Sequence, residues 1–64
     1  MEARAQRMIV GQEYEMRRRD EAGEFWSRVC IVRDNGTAVW VKYAGQIGNS
    51  FPVSLAELRP LRVG

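Results

Sequence analysis

The chain has 64 residues, of which 45% are hydrophobic, and its ten Lys and Arg residues against eight Asp and Glu residues give a net charge of +2. This length allows one domain with a thin core, and the longest apolar run, 38–41, is far too short to span a bilayer. The single cysteine, Cys30, cannot form an intramolecular disulfide. We therefore expect a soluble intracellular domain, cytoplasmic or, in a eukaryote, nuclear.

The first half of the chain predicts a tail and two strands. Residues 1–9 are charged, with apolar side chains at loosely helical spacing, and predict either a tail or a short helix that covers Trp40. Residues 12–19 alternate, with Tyr14 and Met16 on one face and charged side chains on the other, which is typical of a half-buried strand. A polar turn over 20–24 leads into a second strand over 25–33, rich in β-branched and aromatic residues.

A hairpin is predicted at residues 34–37, because Asn35 and Gly36 tolerate positive φ at low cost. A three-residue turn with Gly36 left-handed pairs Ile31 with Val39 and keeps apolar and polar faces separate. The same register pairs Val29 with Val41 and Ser27 with Tyr43. It places Val29, Ile31, Val39 and Val41 in the core, and Cys30 and Trp40 on the opposite face with Arg28 and Lys42.

The second half of the chain predicts a loop and two further strands. A glycine-containing loop over 45–48 precedes a short strand near 50–53, where Pro52 indicates an edge position or a bulge. Ser54 with Glu57 three residues later predicts one helical or 3-10 turn before a closing strand over 58–63. Five short strands predict an all-β, SH3-like small barrel with a 3-10 turn before its last strand, spanning 10–63.

Several motifs then show a family resemblance. The stretches Val10-Gly11, Ala22 to Val29, Val41 to Asn49 and Val53 to Leu61 resemble the Tudor domain and the related Agenet modules. The resemblance covers nearly the whole chain, and its most telling parts are Glu57-Leu58-Arg59-Pro60-Leu61 and the loop after Tyr43. It implies a five-stranded barrel that binds a peptide or protein tail, often through an aromatic cage around a methylated lysine or arginine.

The resemblance also implies where such a ligand binds. The family's cage positions fall near Arg18, on Trp26 or Ser27, on Tyr43, and on Gln46 or Ile47. Tyr43 fits either a packing role at the rim of the barrel or a binding role. The implied ligand-binding residues, including neighbouring rings that could turn toward the rim, are Tyr43, Trp26, Phe25, Ile47, Asn49 and Phe51.

Nucleic-acid binding is the alternative function. The candidate residues combine cations with an aromatic ring: Arg28, Lys42, Trp40 and Arg18. Proteins that bind single-stranded nucleic acid use this combination, because bases stack on the ring and phosphates contact the cations. Arg17-Arg18-Arg19 fits a solvated strand end better than a phosphate site, because alternation divides the three side chains between two faces. An outward Trp40 also predicts a covering tail or weak self-association of an otherwise monomeric chain.

Catalysis is not expected. The chain has no histidine and one cysteine, which excludes a Cys-His nucleophile and a Cys/His metal site, and no motif calls for a cofactor. Glu13 and Glu15 could form a carboxylate pair, but the arginines that continue their stripe favour a solvent face. A remote alternative is an oligomer like the plasmid-type dihydrofolate reductases, although Asn49-Ser50-Phe51-Pro52 lacks the tyrosine of their pore strand. We predict a non-catalytic interaction module.

Overall fold

The computed structural model describes residues 7–61, which form one antiparallel five-stranded sheet in the order β4-β3-β2-β1-β5. The elements are β1 (Glu13–Asp20), β2 (Gly23–Asp34), β3 (Val39–Tyr43), β4 (Phe51–Val53), a 3-10 turn (Leu55–Glu57) and β5 (Leu58–Pro60). The all-β class is therefore confirmed. The predicted 3-10 turn is also confirmed, and the side chain of Ser54 caps it by accepting a hydrogen bond from the Ala56 N–H group.

The hairpin of β1 and β2 follows the predicted alternation. Met16 is buried and Tyr14 half-buried on one face. β1 ends at Asp20, which pairs with Gly23 at the start of β2. Gly23 has φ +125°, and the carboxylate of Asp20 accepts a hydrogen bond from the Ala22 N–H group. A residue with a side chain rarely adopts this φ, so glycine is the residue that closes the turn here.

The predicted register of the hairpin of β2 and β3 is wrong. Ile31 pairs with Val41 rather than Val39, and Val29 pairs with Tyr43. The loop has four residues, 35–38, because the Asn35 side chain accepts hydrogen bonds from the N–H groups of Thr37 and Ala38. A bulge between Ile31 and Arg33 then absorbs one residue and returns the apolar side chains to a single face. Gly36 is left-handed as predicted, with φ +95°.

The segments before β1 and after β5 differ from their predictions. Residues 7–9 are not helical, so a helix there does not cover Trp40; residues 1–6 lie outside the described part of the chain. The Met8 N–H group instead donates to the Asp34 carboxylate at 2.8 Å. β5 ends at Pro60, so the predicted closing strand over 58–63 is shorter than expected: Leu61 is not part of it, and residues 62–63 lie outside the described residues.

The core lies on one face of the sheet, called the core face below. Its buried residues are those predicted from the alternation, together with Met16: Val29, Ile31, Val39 and Val41, each at most 1% exposed, and Met16 at 6%. Phe51 and Val53 of one edge strand and Leu58 of the other pack against this same cluster. Both edges of the sheet therefore bend toward the core face, although β4 and β5 are not paired with each other in the described structure.

Candidate functional site: an aromatic rim around Arg18

Four side chains converge at one end of the core face, and we call them the aromatic rim: Arg18, Phe25, Tyr43 and Phe51. Arg18 and Phe25 are cross-strand partners in β1 and β2, so they share a face. Tyr43 ends β3 and Phe51 begins β4, one on each side of the loop 44–50. Strand alternation and the two hairpins thus bring together residues up to 33 positions apart (51 − 18).

The guanidinium of Arg18 lies between two rings. Its central carbon is 5.1 Å from the centroid of the Phe25 ring and 5.0 Å from that of Tyr43, and its Nη1 lies 3.4 Å from the Ser27 hydroxyl oxygen. Tyr43 in turn contacts Phe51, with ring centroids 5.3 Å apart and planes inclined at 46°. A ring face attracts a cation by about 0.5 to 1 kcal/mol at an exposed site. The rim is therefore spaced to hold a cation, and Arg18 supplies it.

The loop beside the rim is open to solvent. Phe25 is 38% exposed and Ile47 fully exposed. The loop's base is fixed by hydrogen bonds from Ala44 N to Arg28 O and from Gln46 N to Tyr43 O. Asn49 is also exposed, on the same loop. Ile47 and Asn49 thus lie on the loop that joins Tyr43 to Phe51 and do not form part of the ring cluster.

Trp26 is the one predicted ring that the structure places elsewhere. It follows Phe25 in β2, so alternation turns it to the opposite face, where the Arg59 guanidinium lies 3.7 Å from its ring centroid. Arg59 also donates to the Glu15 carboxylate at 2.8 Å. The prediction grouped Trp26 with Phe25 and Tyr43, and the correction is that neighbouring rings in a strand cannot face the same site.

The residues of the nucleic-acid alternative are divided between two faces. Arg28, Lys42 and Trp40 lie opposite the core face, whereas Arg18 belongs to the rim. Trp40 is half-buried, with the Arg33 guanidinium 4.7 Å from its ring centroid. Its indole N–H is fully buried and has no hydrogen-bond partner among residues 7–61. Arg33, which is not among the predicted nucleic-acid residues, is thus the cation in contact with this ring.

The face of β1 opposite the core carries charges in pairs, and we call it the paired face. Arg17 donates to both carboxylate oxygens of Glu57 at 2.9 and 3.0 Å, and Arg19 lies 2.7 Å from Glu24. Glu15 pairs with Arg59 at 2.8 Å, and Glu13 with Arg28 at 3.6 Å. The predicted solvent face is thus half-buried at Glu13, Glu15 and Arg17, and both glutamates pair with arginines and do not form a carboxylate pair with each other.

These pairs shift the titration of their members. The hydrogen bond from Arg17 holds the pKa of Glu57 below its ordinary value, and the same bond raises the pKa of Arg17. The hydrogen bond from Arg19 lowers the pKa of Glu24. Arg17, Glu24 and Glu57 therefore stay charged over a wider pH range than they do without their partners, which favours the ion pairs. None of these three groups exchanges a proton near pH 7.

A cleft of about 340 Å³ lies where the two faces of β1 meet, lined by Arg17, Arg18, Arg19 and Glu57. β5 pairs with β1 only from Tyr14 to Met16, so the segment that follows Met16 has no strand on that side within residues 7–61. The cleft is polar and contains no group of three His, Cys, Asp or Glu side chains suited to a metal, and none occurs elsewhere in the described structure. It offers hydrogen-bond donors.

Comparison of the chain with protein-family models, with curated proteins and with solved structures finds no match. Within the described residues, no helix is long and apolar enough to cross a membrane. The resemblance placed a cage position near Arg18, but the contact of its own guanidinium with the two rings was not expected. The face of Arg18 could be predicted, because Tyr14, Met16 and Arg18 follow each other at the strand period of two. The geometry of the rim is therefore the basis for a functional proposal.

Proposed function

We propose that the chain is a non-catalytic interaction module whose aromatic rim binds a peptide or an exposed protein tail. The observation that carries this proposal is the guanidinium of Arg18 between Phe25 and Tyr43, at an end of the core face where Phe25 and Ile47 are exposed. Tyr43 and Phe51 also pack against the core, whereas Phe25 is exposed and, together with the Arg18 guanidinium, offers a ring and a cation to a partner. Such surfaces are common at binding sites because aromatic and arginine anchors supply most of the binding energy.

The finer fold assignment is part of this proposal. We infer a small SH3-like, Tudor-like barrel, since the strands follow each other as a meander and the last strand returns to pair with the first. Two more features support it: both edge strands pack on the same core, and a 3-10 turn precedes β5. In the proposed barrel the rim lies between the loop that joins β1 to β2 and the loop that joins β3 to β4, where the resemblance implies a ligand.

The resemblance makes methylated lysine and arginine the ligands to test first. Such a cation is attracted to the same ring faces that Arg18 occupies, so it would have to displace the guanidinium from between Phe25 and Tyr43. The resident cation therefore lowers the affinity for a methylated ligand by the strength of its own ring contacts. An unmethylated peptide that leaves Arg18 in place avoids this cost.

The test is an amide NMR titration with methylated and unmethylated Lys and Arg peptides and a short oligonucleotide at low salt. We expect peptide-induced shifts at residues 43–49 and at Phe25. Phe25→Leu should weaken binding by about 0.5 to 2 kcal/mol, or about two- to thirtyfold, because one ring face is lost. Trp26→Leu is the matched control, since it removes the next ring in β2 from the opposite face.

Two outcomes would refute the proposal. Either no peptide perturbs the rim, or Phe25→Leu and Trp26→Leu weaken binding equally. The second result would mean that the affinity follows the stability of the domain and not the rim, so the urea midpoints of both variants should be measured beside the titration.

Nucleic-acid binding is a second candidate, favoured by the cations around Trp40. Arg28, Arg33 and Lys42 all lie on the face opposite the core, and the Arg33 guanidinium stacks on the Trp40 ring. If this face binds a short single-stranded oligonucleotide, the affinity should fall steeply with salt. Lys42→Gln should then reduce the slope of log Kd against log salt by about 0.7 to 1, while Phe25→Leu leaves that slope unchanged.

A further inference from the structure

We propose that the rim selects a peptide that carries an aspartate or glutamate side chain, and that Arg18 binds this carboxylate through the free edge of its guanidinium. The inference rests on the proposed function and names the class of its ligand. It also assigns Arg18 a role that the cage of the resembled family does not contain: the cation belongs to the protein and the anion to the ligand.

The pairing of the three consecutive arginines supports this assignment. Arg17 and Arg19 each have a carboxylate within 3 Å, from Glu57 and Glu24 respectively. Arg18, among residues 7–61, has no carboxylate within 4 Å and makes one long hydrogen bond, 3.4 Å from Nη1 to Ser27 Oγ. A guanidinium has five N–H donors, so most of those of Arg18 remain available to a ligand.

The two rings preorganise the Arg18 guanidinium for binding a carboxylate. Phe25 and Tyr43 both lie about 5 Å from its central carbon, so the rings limit where the group can move. A guanidinium binds a carboxylate along its edge with two parallel hydrogen bonds, and neither ring residue accepts a hydrogen bond from Arg18, whose one partner within the described residues is the Ser27 hydroxyl. A side chain that is already held in place loses less conformational freedom on binding.

The attraction between Arg18 and the ligand's carboxylate acts at short range and does not depend on the net charge of this end of the domain. Of the three arginines, Arg17 pairs with Glu57 and Arg19 with Glu24, which leaves one positive charge (3 − 2) on Arg18. Asp20 and Glu21 in the adjoining turn are exposed carboxylates that offset this charge at longer range. Recognition must therefore come from direct hydrogen bonds between the ligand's carboxylate and Arg18, which the experiment below isolates.

The loop beside the rim favours a side-chain carboxylate over the carboxylate at a chain terminus. Terminal carboxylates are usually bound by successive backbone N–H groups. In the loop 44–50, however, the N–H groups of Ala44 and Gln46 already donate to Arg28 and Tyr43. Exposed Ile47 and the ring of Phe51 add apolar surface, so the residue next to the acidic one should be apolar.

The experiment compares four short, otherwise identical Gly-Ser peptides by NMR titration of the full chain. The first has a central Glu-Leu pair and blocked ends, and the second has Gln in place of Glu. The third keeps Gln but has a free C-terminal carboxylate, and the fourth has trimethyl-lysine in place of Glu. We expect the Glu peptide to shift Arg18, Phe25 and Tyr43 and to bind about tenfold or more tightly than the Gln peptide.

Matched variants locate the carboxylate. Arg18→Gln should weaken the Glu peptide by about tenfold or more and leave the Gln peptide unchanged. Arg17→Gln removes the neighbouring arginine from the opposite face and should change the affinity by less than about twofold. Arg18→Lys keeps the charge but loses the planar fork, so its affinity should be intermediate. If Arg18→Gln does not fold, the affinity of Arg18→Lys for the Glu peptide, compared with that of the unmodified chain, tests the inference in its place.

The outcomes separate this inference from the proposed function. Equal binding of the Glu and Gln peptides overturns the inference, and so does tighter binding of the trimethyl-lysine peptide that increases further in Arg18→Gln. Preference for the free C-terminal peptide also overturns it, since the carboxylate then has a different source. All three results leave the rim as a peptide site. If none of the four peptides perturbs the rim, the proposed function itself fails.

Discussion

Arg17 and Arg18 are neighbours in β1 with opposite surroundings. Arg17 lies on the paired face, where it donates to both carboxylate oxygens of Glu57. Arg18 lies at the aromatic rim, where rings replace carboxylates and its one hydrogen bond is long. The same residue type therefore has its charge compensated on one face and left available on the other.

This difference shows how a single strand can carry paired charges on one face and an unpaired cation on the other. Side chains in a strand alternate between faces, so a run of three arginines need not form one basic patch. The paired face satisfies its charges within the domain, which leaves little for a partner to bind. The rim holds a cation without neutralising it, because a ring attracts a cation but carries no net charge. For this reason the proposed binding function is assigned to the rim.

The first prediction tests whether the two regions depend on one core. Ile31 is 1% exposed and belongs to the core cluster, against which Tyr43 and Phe51 of the rim pack. We expect Ile31→Ala to lower the free energy of unfolding by about 2 to 4 kcal/mol, since it removes buried methyl groups and leaves a cavity. In a domain this small, such a loss should disorder the rim and the paired face together. Urea denaturation and amide NMR spectra measure both effects.

Ile47→Ala is the control, because it makes the same substitution at a fully exposed side chain next to the rim. Its urea midpoint should match that of the unmodified chain, while peptide binding at the rim weakens. A loss of stability in Ile47→Ala comparable to that in Ile31→Ala would show that the loop packs on the core, and the rim could then not be treated as a separate surface.

The second prediction disturbs the rim alone. Gly45 lies two residues after Tyr43 of the rim and has φ +76°. A Cβ added to Gly45 would have no atom within 4 Å. Gly45→Ala should therefore cost about 1 to 2 kcal/mol through backbone strain only. The strain should also displace Tyr43 and weaken peptide binding, without changing the ion pairs of the paired face. Urea midpoints and the NMR shifts of the rim measure these effects.

Gly48→Ala provides the comparison within the same loop. Gly48 also has open space around it but is not among the glycines with positive φ. The substitution should be neutral or stabilise the domain by up to about 1 kcal/mol, because it restricts the unfolded chain. Equal effects of Gly45→Ala and Gly48→Ala would mean that the conformation of Gly45 does not position Tyr43.

Much of the fold could be predicted from local patterns. The period of two in β1, the glycines of the turns and the serine that caps the 3-10 turn each act over a few residues, and each is confirmed. The predicted register of β2 and β3 was wrong because the length of the loop and the position of a bulge had to be known together. The side chain of Asn35 sets the length of the loop, and the bulge at Val32 then corrects the alternation.

Less of the site could be predicted. Tyr43, Phe25 and Phe51 were expected at the ligand site and do converge, but their use by a ligand stays a prediction. Trp26 was wrongly grouped with them because the resemblance gave its position in the family without its face in this strand. The contact of Arg18 with Tyr43 joins β1 to β3 across β2, and strand periodicity carries no information about such a diagonal reach.

The third prediction, with the smallest effect, disturbs the paired face alone. The folded-state pKa of Glu57 and of Glu24 is lowered, chiefly by hydrogen bonds from Arg17 and Arg19. Their contribution to stability is therefore complete above the unfolded-state pKa of about 4.3 and is lost as the pH falls through the lower folded-state values. Glu57→Gln should reduce stability slightly at pH 7 and flatten the decline of stability below about pH 4.3.

Glu21→Gln serves as the control, because Glu21 is exposed and makes no ion pair with any residue in 7–61. It should leave the decline in acid unchanged, and high salt should reduce the difference between Glu57→Gln and the unmodified chain, since salt screens exposed pairs. Peptide binding at the rim should be the same in both variants. If Glu57→Gln and the unmodified chain lose stability in parallel as the pH falls, the pair with Glu57 does not hold Arg17. The two arginines would then differ in their geometry but not in the availability of their charge, and the reason for assigning the ligand's carboxylate to Arg18 rather than Arg17 would be lost.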